Sequence, residues 1–438
     1  MSSSPSAAVG EPVAPAPGAL RPILVLVIGT GVRLFGYSFY LVFILLFLHS
    51  AFQLSYVVGG LYIGIVALVG IPAGQIGGGF SDRIGRRRMI VLSLAGEASG
   101  LALLAWGFSI HSLGVVVGAL FLSRSFGASG SPASNAYVAE SVDPRLRAKG
   151  LSWIRTSFNL GAFGGAALGG LLLTFIPFGE LIILAALLVG TAATVNAIWL
   201  APTARDLALA LKVSGGTRST AAPNPGLLRW LGQSMHASFR PIWRDRRLLL
   251  LVLATILIFV MLYQFAYAIP TFSRTFLGVP FAIVGLAVSL NALIPALTQV
   301  PLTTALSGRL HTRIGIWGAV LYAASYLAFG LDAIYRVDIV VVLFAMVAVS
   351  TLGEDLVFLP IFTLPLNIAP EGARGAYSGA LSTANGVANF FAPFLAGVAL
   401  TYGSHPLVTW GILAAPALPA IVILAYLGSH LPRGQDRI

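Results

Sequence analysis

Long apolar runs broken by short polar stretches dominate this 438-residue chain. Twelve of them come close to or exceed the roughly 20 residues that carry a helix across a bilayer. They fall at 23–48, 56–79, 89–108, 113–138, 149–174, 181–200, 248–273, 281–305, 315–331, 338–365, 376–401 and 407–428. In hydrocarbon every backbone amide must bond within the protein, which leaves helices or closed barrels. Barrel strands would be about ten residues long and would alternate in polarity. The pattern therefore predicts an all-α membrane protein with twelve transmembrane helices.

Composition agrees. Only 9% of residues are charged, against about 25% in a soluble domain. The net charge of +12 would suggest a nucleic-acid partner in a soluble chain, but its placement argues otherwise. Of 26 basic residues, 21 fall before the first span, after the even-numbered spans or in the tail. Arg274 and Arg336 lie on the other face, and Arg33, Arg124 and Arg155 lie within spans. The positive-inside rule then puts both termini in the cytoplasm of a bacterial-type cytoplasmic membrane. Nucleic acid is not an expected partner. There is no cysteine, hence no disulfide or thiolate metal site. Residues 1–22 read as a flexible cytoplasmic tail without the pattern of a cleaved signal peptide.

Residues 201–247 separate six spans from six, so the expected units are 23–200 and 248–428, with a short cytoplasmic tail at 429–438. Within the central loop, Leu228, Leu231, Met235 and Phe239 recur at helical spacing among arginines. This predicts an amphipathic helix on the membrane face or packed on the bundle. The halves also echo each other. "RAKGLSWIRTSFNLGAFGGAALGG" from Arg147 aligns with "RGAYSGALSTANGVANFFAPFLAG" from Arg374, pairing Gly170 with Gly397. "SDRIG" at Ser81 aligns with "HTRIG" at His311. Two matches at nearly equal offsets predict two pseudo-symmetric six-helix bundles, with a substrate site between them near mid-membrane.

The loop after the second span reads Gly78, Asp82, Arg83, Gly85, Arg86, Arg87. This matches the signature of the major facilitator superfamily, and the chain resembles that family over nearly its whole length. Arg124 and Gly130 are similar to the family's fourth-span signature. Gly161, Gly165, Gly169 and Gly170 resemble the fifth-span motif of its twelve-span drug:proton antiporter branch, except that Ala166 stands where that motif has proline. The resemblance implies alternating access by rocking of two bundles.

Elementary chemistry gives each residue a candidate role. Gly78 lets a neighbouring backbone approach, Gly85 suits a tight turn, and Asp82 is suited to cap a helix N-terminus. Arg83, Arg86 and Arg87 could pair with acids on a neighbouring helix, making a charge lock between the halves. The alternative is that they only fix topology. Charges within spans default to function. Adjacent residues point about 100° apart on a helix, so one of Glu354 and Asp355 is expected to face the cavity and is nominated as the proton carrier, with Arg33 and Arg124 adjusting it or binding an anionic group. The alternative is a static ion pair. Glu97 is assigned a structural role. Tyr37, Tyr40, Arg155, Tyr263, Gln264, Tyr267, Asn291, Gln299, Asn385 and Asn389 are candidate cavity residues, with Tyr263 and Tyr267 on one helical face. The span-5 glycines are packing devices.

The expected function is proton-coupled export of small hydrophobic or amphipathic compounds by a monomer that contacts membrane lipids and has no cofactor but the proton. The alternatives are a facilitator or symporter for a polar nutrient, and a lipid translocator or non-transporting sensor. No phosphate loop, metal motif or nucleophile elbow points to an enzyme.

Overall fold

The computed structural model describes residues 20–214, 245–370, 373–403 and 405–436, and these are helical without a strand. The expected amphipathic helix around residues 228–239 and most of the N-terminal tail lie outside them. In chain order the helices are α1 (Leu24–Leu41), α2 (Ile44–Phe52), α3 (Tyr56–Ile84), α4 (Arg86–Ser109), α5 (Leu113–Ser141), α6 (Arg147–Leu172) and α7 (Phe178–Trp199). A short α8 (Ala204–Ser214) follows. Then come α9 (Arg246–Leu262), α10 (Ala268–Thr275), α11 (Phe281–Ala305), α12 (His311–Tyr335), α13 (Ile339–Ile368), α14 (Arg374–Tyr402), α15 (Pro406–Ala414) and α16 (Ala417–His430).

Three spans are each built from two helices: α1 with α2, α9 with α10, and α15 with α16. The break in the seventh has a local cause. Pro270 sits at the third position of α10 and cannot donate to the preceding turn. A 3₁₀ turn at Tyr263–Phe265 therefore replaces continuous helix. This overturns the expectation that Tyr263 and Tyr267 share a regular helical face.

Among the described residues, eleven spans are long and apolar enough to cross a membrane by themselves. The fifth, α6, is not, because Arg147, Lys149, Arg155, Asn159 and its glycines dilute its hydropathy. Its place in the bundle explains the exception: it packs between α1 and α11 rather than against lipid alone.

The packing repeats. In the first half α1 contacts α6 and α7, α4 contacts α5 and α7, and α3 contacts α5. In the second half the corresponding pairs are α9 with α14 and α16, α12 with α13 and α16, and α11 with α13. The halves meet along two seams, α3 with α14 and α6 with α11, which one twofold operation would interchange.

Both seams are built on missing side chains. A Cβ on Gly170 would lie 2.5 Å from the Phe281 carbonyl, and one on Gly397 would lie 2.3 Å from the Tyr56 carbonyl. Gly60 and Gly64 likewise face the backbone of Pro393 and Phe390. Aromatic rings add to the closure at this end, with Phe43 and Phe281 edge to face at 5.5 Å. These contacts gather at the end of the bundle remote from the Asp82 loop.

Candidate functional site

Three groups of polar side chains occupy the membrane-spanning interior. The first lies inside the first half. Arg33 of α1 donates through Nε to Glu97 Oε2 at 2.5 Å and through Nη2 to Glu97 Oε1 at 3.0 Å. The two-pronged geometry is the strong form of this ion pair. Glu97 is 1% exposed, and Arg33 keeps 25%. Arg33 also reaches the Gly127 carbonyl at 3.4 Å. A Cβ at Gly127 would sit 2.9 Å from both partners, so a side chain there would displace the pair from this geometry. Arg33 is thus tied to Glu97 and not to the acids of the tenth span.

The second group centres on Arg124 of α5. Its guanidinium lies against Gly70, where a Cβ would be 3.0 Å from Nε. That Nε is buried without a hydrogen-bond partner. Tyr40 of the first half and Tyr263 and Tyr267 of the second lie within electrostatic range of it. Tyr37 packs edge to face on Tyr40 at 5.3 Å. Tyr263 donates to Asn385 Oδ1 at 2.6 Å, and Asn389 donates to the same oxygen at 2.6 Å. Gln264 does not join them. It is fully buried and donates to the carbonyls of Val260 and Ala392. These bonds join the break in the seventh span to α14, and the Oε1 of Gln264 is buried without a partner.

The third group is the acidic pair of α13. Glu354 accepts from Asn291 Nδ2 at 2.5 Å and lies 3.5 Å from the Tyr322 hydroxyl. Asp355 accepts from Thr298 Oγ1, and its other oxygen is buried without a partner. Neighbouring residues diverge by about 100° on a helix, which is the basis for expecting only one to face inward. Both are buried, and both bond to one face of α11, Glu354 to Asn291 and Asp355 to Thr298 two turns further on. Among the described residues no cation bonds to either. Arg155 of α6 faces them from the other half. It lies 6.0 Å over the Phe358 ring, and its charge acts on both carboxyls.

Side-chain polarity alone favours Gln299 on α11, yet the partner of Asp355 is Thr298. A signal for it exists, since Thr298 follows Asn291 by seven residues and so shares its face. Gln299 is partly exposed one position further on.

At the polar end of the first half, Asp82 does not cap a helix N-terminus. It sits in the last turn of α3 and pairs with Arg86 at 2.7 Å and Arg205 at 3.3 Å. Arg86 also pairs with Glu140 at 3.0 Å, and Arg87 donates to the Ala197 carbonyl. Arg83 is exposed. Among the described residues every one of these partners belongs to the first half or to α8, so in this structure the network braces one half. Gly85 does take the turn, at φ +102°. The acid at the N-terminus of α4 is Asp206, which accepts from Arg87 N at 3.4 Å and Thr203 N at 2.9 Å. The close-approach glycine is Gly77, where a Cβ would lie 2.2 Å from the Ser129 carbonyl. Gly78 meets Pro132 at an ordinary 3.5 Å. Gly130 faces Ser93, while Gly161, Gly165 and Gly169 face Gly31, Phe35 and Phe39 of the first span.

Comparison with known proteins agrees with this architecture. A Na(+), Li(+), K(+)/H(+) antiporter of Planococcus maritimus is 24% identical over 85% of this chain and 86% of its own length. Multidrug resistance protein MdtH of Edwardsiella ictaluri is 26% identical over 78% of each chain. Among solved structures, a D-xylose-proton symporter superposes with a TM-score of 0.71 at 17% identity, covering 96% of this chain and all of that one. A bacterial homologue of the iron transporter ferroportin, in an inward-facing state, gives 0.69 at 16% identity, over 94% of this chain and all of that one. The sequence profile of the Major Facilitator Superfamily matches residues 26–393, and the chain belongs to that superfamily of membrane transporters.

Proposed function

We propose that this transporter couples proton movement to the export of small hydrophobic or amphipathic compounds, with Glu354 and Asp355 as the proton carriers. One observation carries the reading: two adjacent carboxyls are buried in α13, held by amide and hydroxyl donors, with no cation bonded to them among the described residues. Burying a charge without a bonded counter-ion is costly, and a carboxyl so placed is suited to take up and release a proton. Arg155, on the opposite half, is the cation that approaches or withdraws as the halves rock. Arg124 with Tyr40, Tyr263, Asn385 and Asn389 forms the polar part of the substrate site, and Arg33 with Glu97 holds the first bundle together. The arginine-rich end faces the cytoplasm, and the glycine seams close the opposite side.

The test is transport in proteoliposomes under an imposed pH gradient, with a panel of cationic dyes, sugars and organic acids. Dye movement against a proton gradient, lost in Glu354→Gln with Asp355→Asn, is the expected result. Sugar uptake that ignores the gradient would overturn the proposal.

A second reading has its own support. The groups around the acids (Asn291, Thr298, Thr351 and Tyr322) are rich in oxygen, as an alkali cation requires. Sodium-driven proton movement in the same vesicles, without any organic substrate, would favour it.

A further inference from the structure

A groove of about 980 Å³ lies outside both seams, where α12 begins and α16 ends. Arg309 from the loop before α12, Arg313 from its first turn and Arg433 from the tail after α16 line it. All three are exposed, and no ion pair among the described residues involves them. Asp436 also lines the groove, but its oxygens are already occupied. Oδ1 accepts from Thr312 N at 3.0 Å and Oδ2 from Thr312 Oγ1 at 2.7 Å.

The matching loop of the first half carries its own acids. There Asp82 and Glu140 engage the basic residues Arg86 and Arg205. The position equivalent to Asp82 is Thr312, so the second loop lacks that internal anion.

The other wall of the groove is apolar and includes Trp317, Leu356 and Ala425. Trp317 is 65% exposed and lies four residues beyond Arg313, about 6 Å further along the helix. An exposed tryptophan just inside a ring of arginines is the pattern of a membrane–water boundary. Basic pockets at that depth on the cytoplasmic side suit lipid phosphates.

We propose that this groove binds an anionic glycerophospholipid. The phosphate sits among Arg309, Arg313 and Arg433, and an acyl chain lies along Trp317. A free phosphate would use the arginines but leave the apolar wall bare, which is why the lipid is the assigned occupant. The bound phosphate ties the loop before α12 to the tail after α16, as Asp82 ties the corresponding parts of the first half through Arg205. The site is independent of the acidic pair and of the coupling assigned to it.

The experiment uses the full chain, delipidated in mild detergent and titrated with phosphatidylglycerol or phosphatidylcholine, with bound lipid counted by native mass spectrometry. Phosphatidylglycerol should be retained about tenfold or more over phosphatidylcholine, and Arg309→Gln with Arg313→Gln and Arg433→Gln should remove that preference. The corresponding triple lysine variant should keep it, and so should Arg145→Gln in the first half. If the triple glutamine variant does not fold, Arg433→Gln alone, beyond the last helix, should still weaken retention. Trp317→Ala should weaken both lipids alike. Equal retention of the two lipids by the wild type would overturn the proposal. So would displacement of phosphatidylglycerol by excess inorganic phosphate, which would assign the arginines to a free anion.

Discussion

Asp206 and Asp436 stand 230 residues apart and hold the same station in the two halves. Asp206 accepts from the backbone of Arg87 at the start of α4, and Asp436 accepts from the backbone of Thr312 at the start of α12. Each follows the last span of its half, in "APTARD" and "LPRGQD". A side chain from elsewhere in the chain thus does the work normally left to a residue adjacent to the helix. It closes each bundle by fastening the end of its sixth span to the start of its third.

Asp436→Ala should therefore cost about 1–2 kcal/mol, because Thr312 loses a backbone and a hydroxyl acceptor together. Thermal unfolding in detergent, followed by size-exclusion recovery, should show a lowered midpoint. An unchanged midpoint would remove the fastening role.

The Arg33–Glu97 pair should behave as a buried ion pair does. Glu97→Gln alone leaves a guanidinium uncompensated and should cost about 3–5 kcal/mol, read as loss of monodisperse protein. Replacing both with leucine should recover most of that yield, since an apolar pair of similar volume avoids the desolvation penalty. If the double variant is no better than the single one, the pair has a role beyond neutralising itself.

The seam glycines tolerate nothing larger. Gly397→Val would place side-chain atoms on the Tyr56 backbone, whose carbonyl is 2.3 Å from even a Cβ. The variant should insert and fold as two bundles, yet transport should fall about tenfold or more, because the seam cannot close. Closure itself is checked by crosslinking. Phe43 and Phe281 belong to opposite halves and their rings lie 5.5 Å apart. Phe43→Cys with Phe281→Cys, in a chain that has no other cysteine, should be joined by a short bifunctional thiol reagent. Failure to crosslink would contradict the closed seam.

Asp82→Asn removes one arm of the brace on Arg86 and Arg205. Insertion and expression should be unchanged while turnover falls. Full turnover at equal expression would leave the motif with topology alone.

Much of this molecule is legible in its sequence, and the limits are physical. Span number and the two-half layout follow from hydropathy and from the paired motifs at 81 and 311. The breaks at Tyr263 and Pro416 do not show in hydropathy, because a bilayer-spanning run stays apolar whether or not its helix is interrupted; Pro270 and Pro416 are their only marks in the sequence. Partners are harder still. Arg33 and Glu97 stand out as separate oddities 64 residues apart, and only packing of α1 on the neighbouring helices brings them within 2.5 Å. The acids of α13 are found by their cost, but their partner Thr298 is an ordinary residue that gains meaning from its register with Asn291. The Asp206–Asp436 correspondence is within reach, since the spacing that pairs Ser81 with His311 pairs these two as well.

The absent side chains of Gly60, Gly170 and Gly397 carry one more implication. Surfaces that interlock must disengage before they can turn, and each disengagement is a barrier. Two smooth strips of backbone, one on each flank, behave as bearings. They let a large body swivel without first prising anything apart. The axis of that swivel is thus recorded as a shortage of atoms. Any substitution that adds atoms along either strip meets the backbone of the opposite half.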